Sequence, residues 1–440
     1  MKNSIHHFAR KLTLAALAIS TAATGAYAQT AKPAELHIGI ATFMSGAGAV
    51  QGIPAKAGAQ VWIDQVNAVG GIDGAKLVPH FLDEGLGTEK LLTEYRRLVQ
   101  EQGVKVMFAA ISSGTCNTVA PVAEDLKVLN VMWNCGTEKL LEDRQYKYVF
   151  RTVSNAEMEM VSAAIHLLRV RPNVKTVAVV NQDYSWGRDS WEMFRKALLT
   201  LKPDVKIVAE LFPKLGAPDY STEITRLQAL KPEVVFSSAW GGDLDTLIRQ
   251  STQRGLHKTS QWLLSIGEGS IERLGKSMPQ GVMVGMRGDA YFADPEFASD
   301  PRHKAFVGTF RAKTGSYPIF AVSQLVAGLQ AWADAHAAAR KSGKGQWPST
   351  EQVAQAMRGL QFQGLSRPIR IREDGQAMQG QLMGITRTVP DYPFPIVDQL
   401  IYVPAELVAT PVGRKSSEWI GTLDPAIVRS DRIRAITAPR

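Results

Sequence analysis

The sequence predicts an α/β protein with parallel sheets, divided into two domains, and three observations lead there. Short apolar runs alternate with stretches of helical periodicity from Glu35 onward. Several of those runs are continuously apolar, as strands covered on both faces are. The 412 residues that follow a 28-residue leader exceed what one core ordinarily organises.

The elements follow in order. Leu36–Ala41 is the first strand, and it ends at the small turn Ser45-Gly46. Further strands are expected at Lys76–Leu82, Val104–Ala110, Val128–Trp133, Lys175–Asn181, Lys206–Leu211, Glu233–Ser238, Gln261–Ile266 and Gly281–Met286. Most gaps hold helical periodicity, beginning with Ala55–Val69 and Lys90–Gln102 and continuing through Glu157–Arg171, Ser190–Thr200, Thr222–Leu230 and Leu244–Arg254. Two more helices, His303–Thr314 and Ala321–Lys341, come after the last of these strands. Extended crossings between the domains are expected at Lys147–Arg151, at Met286–Asp289 and between Arg358 and the short strands around Ile369 and Leu382. Two bodies joined by several crossings hinge rather than separate as beads.

The most informative stretch runs from Phe108 to Leu141. Two successive strands there stop at small, hydroxyl-bearing turns, Ser112-Ser113-Gly114 and Cys135-Gly136-Thr137, and helical sequence follows each. In an open parallel sheet such turns lie at the carboxyl edge, where ligands bind. Amides at the helix starts suit an anion, and Ser113 and Thr137 add hydroxyl donors. That is the chemistry of a carboxylate cradle. The plainer alternative is that both hydroxyls only cap their helices.

The first 28 residues read as a cleavable export signal, outside the fold. Lys2, Arg10 and Lys11 give a positive start, Leu12–Ile19 is a short apolar core, and Ala26-Tyr27-Ala28 fits the cleavage pattern. Its removal takes three positive charges and no negative ones, lowering the formal net charge from +9 to +6. Acidic residues are scattered, and the arginines of the tail, Arg429, Arg432, Arg434 and Arg440, suit a solvated end better than a nucleic-acid site. Two cysteines in an exported chain permit one disulfide. Cys116 and Cys135 each sit just past the end of a strand, and neighbouring strands bring such positions within reach. Two buried free thiols are the alternative.

Nothing marks an enzyme or a cofactor. Gly46-x-Gly48-x-x-x-Gly52 follows a strand, but its spacing is not that of a dinucleotide loop. No histidine stands in a metal-binding pattern, and no nucleophile elbow is present.

Taken together, these motifs resemble the exported substrate-binding proteins of ABC transporters, of the branched-chain amino-acid and amide-binding type. The likeness runs from about Glu35 to Val389. It rests on Ile38-Gly39-Ile40 with Ser45-Gly46, on Asn67-Ala68-Val69-Gly70-Gly71-Ile72-Asp73-Gly74, and on Ser112-Ser113-Gly114 with Ala120-Pro121-Val122-Ala123. Cys135-Gly136-Thr137, Asp183-Tyr184-Ser185-Trp186-Gly187 and Gly267-Glu268-Gly269 complete it. The resemblance implies two doubly wound lobes joined by a three-segment hinge, with residues 35–151 and 288–359 in one lobe and 152–287 and 360–440 in the other. Ser113 and Thr137 would bind a ligand carboxylate, supported by Gly114 and the backbone of Cys135. Tyr184, Trp240 and Glu268 would close from the second lobe, and Trp186, beside Tyr184, suits the same lid by its own chemistry. An acidic residue at Glu268 points to a ligand ammonium and so to an amino-acid-like ligand. Trp133, Asn134 and Trp240 depart from the usual pattern and reshape an apolar pocket. The implied protein is a periplasmic monomer that delivers a small metabolite to an ABC permease. A ligand sensor for a signalling partner, or an exported hydrolase, are the competing readings.

Overall fold

The structure, a computed structural model, describes residues 32–437; the expected signal over residues 1–28 and Arg440 of the tail lie outside the described residues. The first sheet contains β1 (Glu35–Thr42), β2 (Lys76–Asp83), β3 (Val106–Phe108), β4 (Leu129–Met132) and β5 (Val149–Arg151), all parallel, in the order β2-β1-β3-β4-β5. Its register runs Glu35 against Lys76 to Thr42 against Asp83, and Ile38 against Val106. Helices Ala49–Ala68, Thr88–Gln100 and Ser113–Asp125 connect these strands. Thr88–Gln100 buries Leu91, Tyr95 and Leu98, a stripe at helical spacing. Ala49–Ala68 starts six residues before the periodicity predicts and carries Pro54 inside it. Proline cannot donate to the carbonyl four residues earlier, Val50. That carbonyl instead receives Arg273 Nη1 at 3.4 Å, from the other side of the molecule.

The second sheet begins in the same way. Strands β6 (Thr176–Val180), β7 (Lys206–Leu211), β8 (Val234–Ser237), β9 (Gln261–Leu264) and β10 (Met283–Gly285) are parallel, in the order β7-β6-β8-β9-β10. The chain then returns to the first sheet. Helices Pro301–Thr314, Phe320–Ser342 and Thr350–Met357 follow, and Phe320–Ser342 packs on Ala49–Ala68, β3 and β4. Trp62 Nε1 donates to Gln330 Oε1 at 3.2 Å across that packing.

A small antiparallel sheet comes next: β11 (Gln361–Gln363), β12 (Pro368–Ile371) and β13 (Ala377–Met378). Three last strands, β14 (Gln381–Arg387), β15 (Ile396–Val403) and β16 (Arg434–Ala435), extend the second sheet antiparallel from β10. The second sheet is therefore mixed, where the sequence predicts a parallel one. The reason is topological: β10 runs out to a crossing and β14 enters from one, so the two neighbours must oppose.

All three crossings lie side by side. Arg151 N donates to Gly375 O at 2.9 Å, and Gln376 Nε2 donates to Val153 O at 2.8 Å. Gln379 ties the set together, accepting from Ser154 N at 3.1 Å and donating to Asp289 Oδ1 at 2.9 Å. The segment beyond β15 covers helices Ala156–Val170 and Ser185–Leu201, with Arg169 Nη1 on Val428 O at 2.7 Å. No described helix is long and apolar enough to cross a membrane.

Candidate ligand cleft

Each sheet reverses its strand order once, between β1 and β3 in the first and between β6 and β8 in the second. Loops leaving a switch point diverge and open a crevice at the carboxyl ends of the strands. Those loops carry Ser45 and Ser112–Gly114 on one side and Gln182–Trp186 and Ala239–Trp240 on the other. The two crevices face each other. Gly242 N donates to Ala47 O at 3.1 Å, and Phe43 lies 5.8 Å from Trp240, ring to ring.

On the first lobe the turns are held rigidly. Glu84 is buried and accepts from Ile111 N at 2.9 Å and Ser112 N at 2.8 Å, which fixes the turn after β3; burial pushes its carboxyl up to about 7. A disulfide joins Cys116 to Cys135, with 6.4 Å between the Cα atoms, and so ties this turn to the one after β4. Ser113 Oγ accepts from Thr137 N at 3.3 Å, so the two turns also meet directly. Gly114 is half-buried beside Ser112, and a Cβ there would touch nothing closer than Ser112 Oγ at 3.7 Å. The two turns thus meet, but the Thr137 hydroxyl donates to a protein carboxylate, Asp189 Oδ2, at 2.8 Å.

The second-lobe wall is aromatic. Tyr184 stands at the start of helix Ser185–Leu201, and its hydroxyl accepts from Trp240 Nε1 at 2.6 Å. Trp186 donates to Ser238 O at 2.9 Å and lays its ring against Gly136 of the first lobe, leaving no room there for a Cβ. Trp133 behaves differently: it is fully buried inside the first lobe, with Nε1 on Ala41 O at 3.2 Å. Glu268 also reaches across the cleft. Its Oε2 accepts from Phe320 N at 2.9 Å, the first amide of helix Phe320–Ser342, where a carboxylate favours the helix dipole. Burial pushes the Glu268 carboxyl up to about 8.

Three residues near this wall escaped the sequence reading. Arg287, in the second crossing, is 4% exposed and stacks over Trp186 at 4.6 Å and Phe320 at 5.6 Å. Its guanidinium donates to Asn134 Oδ1 at 2.9 Å and Asn134 O at 2.6 Å, and it pairs with Glu159 at 3.5 Å. Gln51 is 1% exposed, and neither its amide nitrogen nor its oxygen has a hydrogen-bond partner among the described residues. It lies beside Gly269 and Phe320. Asp189 is 5% exposed and carries the Thr137 hydroxyl. The only available signal was position: Gln51 and Asp189 both fall within two turns of a helix start at a sheet edge.

Hydrogen-bond bookkeeping then singles out two hydroxyls. Ser113 Oγ and Tyr184 Oη each accept from an N–H, and neither donates to a described residue. Each retains a proton to give.

Known proteins share this architecture. The leucine-, isoleucine-, valine-, threonine- and alanine-binding protein of Pseudomonas aeruginosa is 24% identical over 280 residues, 63% of this chain and 71% of its own. The leucine-specific-binding protein of Salmonella typhimurium is 23% identical over 288 residues, 65% of this chain and 74% of its own. Among solved structures, an ABC-transporter solute-binding protein from Rhodopseudomonas palustris in complex with 3,4-dihydroxybenzoic acid superposes with a TM-score of 0.71 at 20% identity, covering 84% of this chain and 96% of that one. A leucine-binding protein from Thermotoga maritima gives 0.69 at 20% identity, covering 83% and 98%. The family described as periplasmic binding protein matches residues 35–389. The chain belongs to that family, exported proteins that are not enzymes and that hold a small solute between two lobes for an ABC transporter.

Proposed function

We propose that the cleft captures a small carboxylic acid with a flat or apolar body, and that an amine on that acid is not what the site recognises. The observation that carries this reading is the pair of hydroxyls that donate to no described residue, Ser113 on one lobe and Tyr184 on the other, with the buried Arg287 stacked on Trp186, two residues beyond Tyr184. Two hydroxyl donors and a cation suit one carboxylate. Around them Phe43, Trp186, Trp240 and Phe320 offer ring faces, which suit an apolar or aromatic body. Glu268, expected to meet an ammonium, is occupied as the cap of helix Phe320–Ser342, and burial favours its neutral form. Benzoate-type acids are bound by structurally similar proteins, and leucine-type amino acids by others.

In this reading residues 35–151 and 288–359 move as one lobe against 152–287 and 360–440, about the three adjacent crossings. Gly114 and the Cys135 backbone support the cradle without touching the solute. The protein is exported through a leader ending at Ala28 and works as a monomer. A thermal-shift screen of carboxylic acids and amino acids tests the solute, since a ligand at 100 times its dissociation constant adds ~2.7 kcal/mol. The reading expects stabilisation by amine-free aromatic or apolar acids. Stabilisation by amino acids alone would contradict it.

A further inference from the structure

We infer that Asp189 is a clasp that holds the two lobes shut without help from the solute, with Thr137 and Lys139 as its receptors. Asp189 stands in the second turn of helix Ser185–Leu201, off the second sheet, and is 5% exposed. Its two oxygens take separate donors from the opposite lobe: Thr137 Oγ1 reaches Oδ2 at 2.8 Å, and Lys139 Nζ reaches Oδ1 at 2.8 Å. Lys139 also lies 3.5 Å from Glu192, one turn further along the same helix.

Thr137 is set for this task. Its amide is on Ser113 Oγ, and its carbonyl receives Arg151 Nη2 at 2.5 Å, so the backbone is fixed on both sides of the hydroxyl. A hydroxyl has one proton, and given to Asp189 it cannot also be given to a solute. Thr137 therefore serves closure and Ser113 serves recognition, although both sit in the same cradle.

Both bonds join the two lobes, beside the bond of Ala156 N to Gly136 O at 2.6 Å, and being formed in the closed molecule they favour that form. A larger closed fraction raises the apparent affinity for every solute by one common factor and discriminates between none. The inference shares with the proposed function only the premise that the lobes move. Its test needs no solute, so the two can fail separately.

The two native cysteines are joined to each other and no other is present among the described residues, so introduced cysteines label selectively. In the mature protein, Lys90→Cys and Lys214→Cys place one spin label at the exposed rim of each lobe. Pulsed electron paramagnetic resonance without added solute then reports the ratio of short to long distances. The parent should show a short-distance population, and Asp189→Ala should lower the ratio about tenfold or more, as losing hydrogen bonds to a charged group does. Thr137→Val, which keeps the side chain's shape, should act in the same direction and stands in if Asp189→Ala does not fold. Asp189→Asn should fall between, since it keeps an acceptor for Thr137 and loses the charge that faces Lys139. A parent with only the long distance, or distributions unchanged in both Asp189→Ala and Thr137→Val, would overturn the clasp.

Discussion

The two walls of the cleft are built from opposite materials. The first-lobe wall consists of short turns with small hydroxylated residues, held by a disulfide, a buried carboxylate and backbone amides. The second-lobe wall consists of large rings whose polar edges are tied to one another or to the backbone, Trp240 on Tyr184 and Trp186 on Ser238. Small turns fixed at strand ends give directional donors at set positions. Rings give area and adapt to shape, but only their edges discriminate. Direction is therefore supplied mainly by one wall and fit mainly by the other, with Tyr184 and Arg287 reaching across the division.

The largest expected effect comes from Arg287, which touches both walls. Arg287→Met keeps much of the stem but leaves Glu159 buried without its cation and Asn134 without two donors. Breaking a buried pair in this way costs about 3–5 kcal/mol. Chemical denaturation should show that loss, and solute affinity should fall with it. An unchanged denaturation midpoint would remove Arg287 from the junction of the walls.

Next is the disulfide, which belongs to the directional wall alone. Closing a loop with a sequence separation of 19 residues suggests ~3 kcal/mol in the chain-entropy model. A Cys116→Ser, Cys135→Ser double variant should therefore unfold at lower denaturant and bind its solute more weakly, because both cradle turns loosen. Weaker folding with unchanged affinity would show that the turns hold their places without it.

Acidity acts on both walls. Burial raises the carboxyls of Glu268 and Glu138 to about 8 and of Glu84 and Glu157 to about 7, all above the usual 4.5. The folded protein thus keeps protons that the unfolded chain releases above pH 4.5. The stability these groups contribute is complete below that value and is lost as pH rises through 7 and 8. Melting midpoints should be higher at pH 5.5 than at pH 8.5. Glu138, whose two oxygens have no hydrogen-bond partner among the described residues and which Asp189 also pushes up, gives one check: Glu138→Gln should flatten the slope. A midpoint that climbs steadily from pH 5.5 to 8.5 would contradict these assignments.

Smaller still is Trp186→Phe in the aromatic wall. The ring contact with Gly136 shrinks and one bond to Ser238 O is lost, about 0.5–1.5 kcal/mol. A urea titration resolves that difference, and a loss above 4 kcal/mol would mean that the wall is as rigid as the cradle.

What the sequence disclosed divides along the same line. Strand, turn and helix succeed one another locally, so nine of the ten strands β1–β10 and the two small turns after β3 and β4 were legible, and so was the Cys116–Cys135 pairing across adjacent strand ends; β5, Val149–Arg151, falls in the segment expected as a crossing and instead closes the edge of the first sheet. The late antiparallel strand β15 was missed, because Ile396–Val403 follows a proline-rich approach and its partner is set by the crossings. Partner choice across the cleft was not legible at all. Thr137 and Glu268 were read as ligand groups on sound local grounds, yet Thr137 bonds Asp189, 52 residues away, and Glu268 bonds Phe320, also 52 away. Long-range closure decided those partners, and no local pattern encodes it. Gln51 and Arg287 were invisible for the same reason, being polar residues whose burial depends on the opposite lobe.

In the proposed reading the solute's carboxylate is held by Ser113 and Tyr184, and no amine is required. Calorimetric titration of the best acid from the screen into Ser113→Ala, Tyr184→Phe and Glu268→Gln tests it most directly. Each of the first two should weaken binding about 10- to 100-fold, the ~1.5–3 kcal/mol of a hydrogen bond to a charged group. Glu268→Gln should bind the acid as well as the parent does, since an amide oxygen still caps Phe320. Unchanged affinity in Ser113→Ala and Tyr184→Phe, with binding abolished in Glu268→Gln, would contradict the account and identify the solute by its amine.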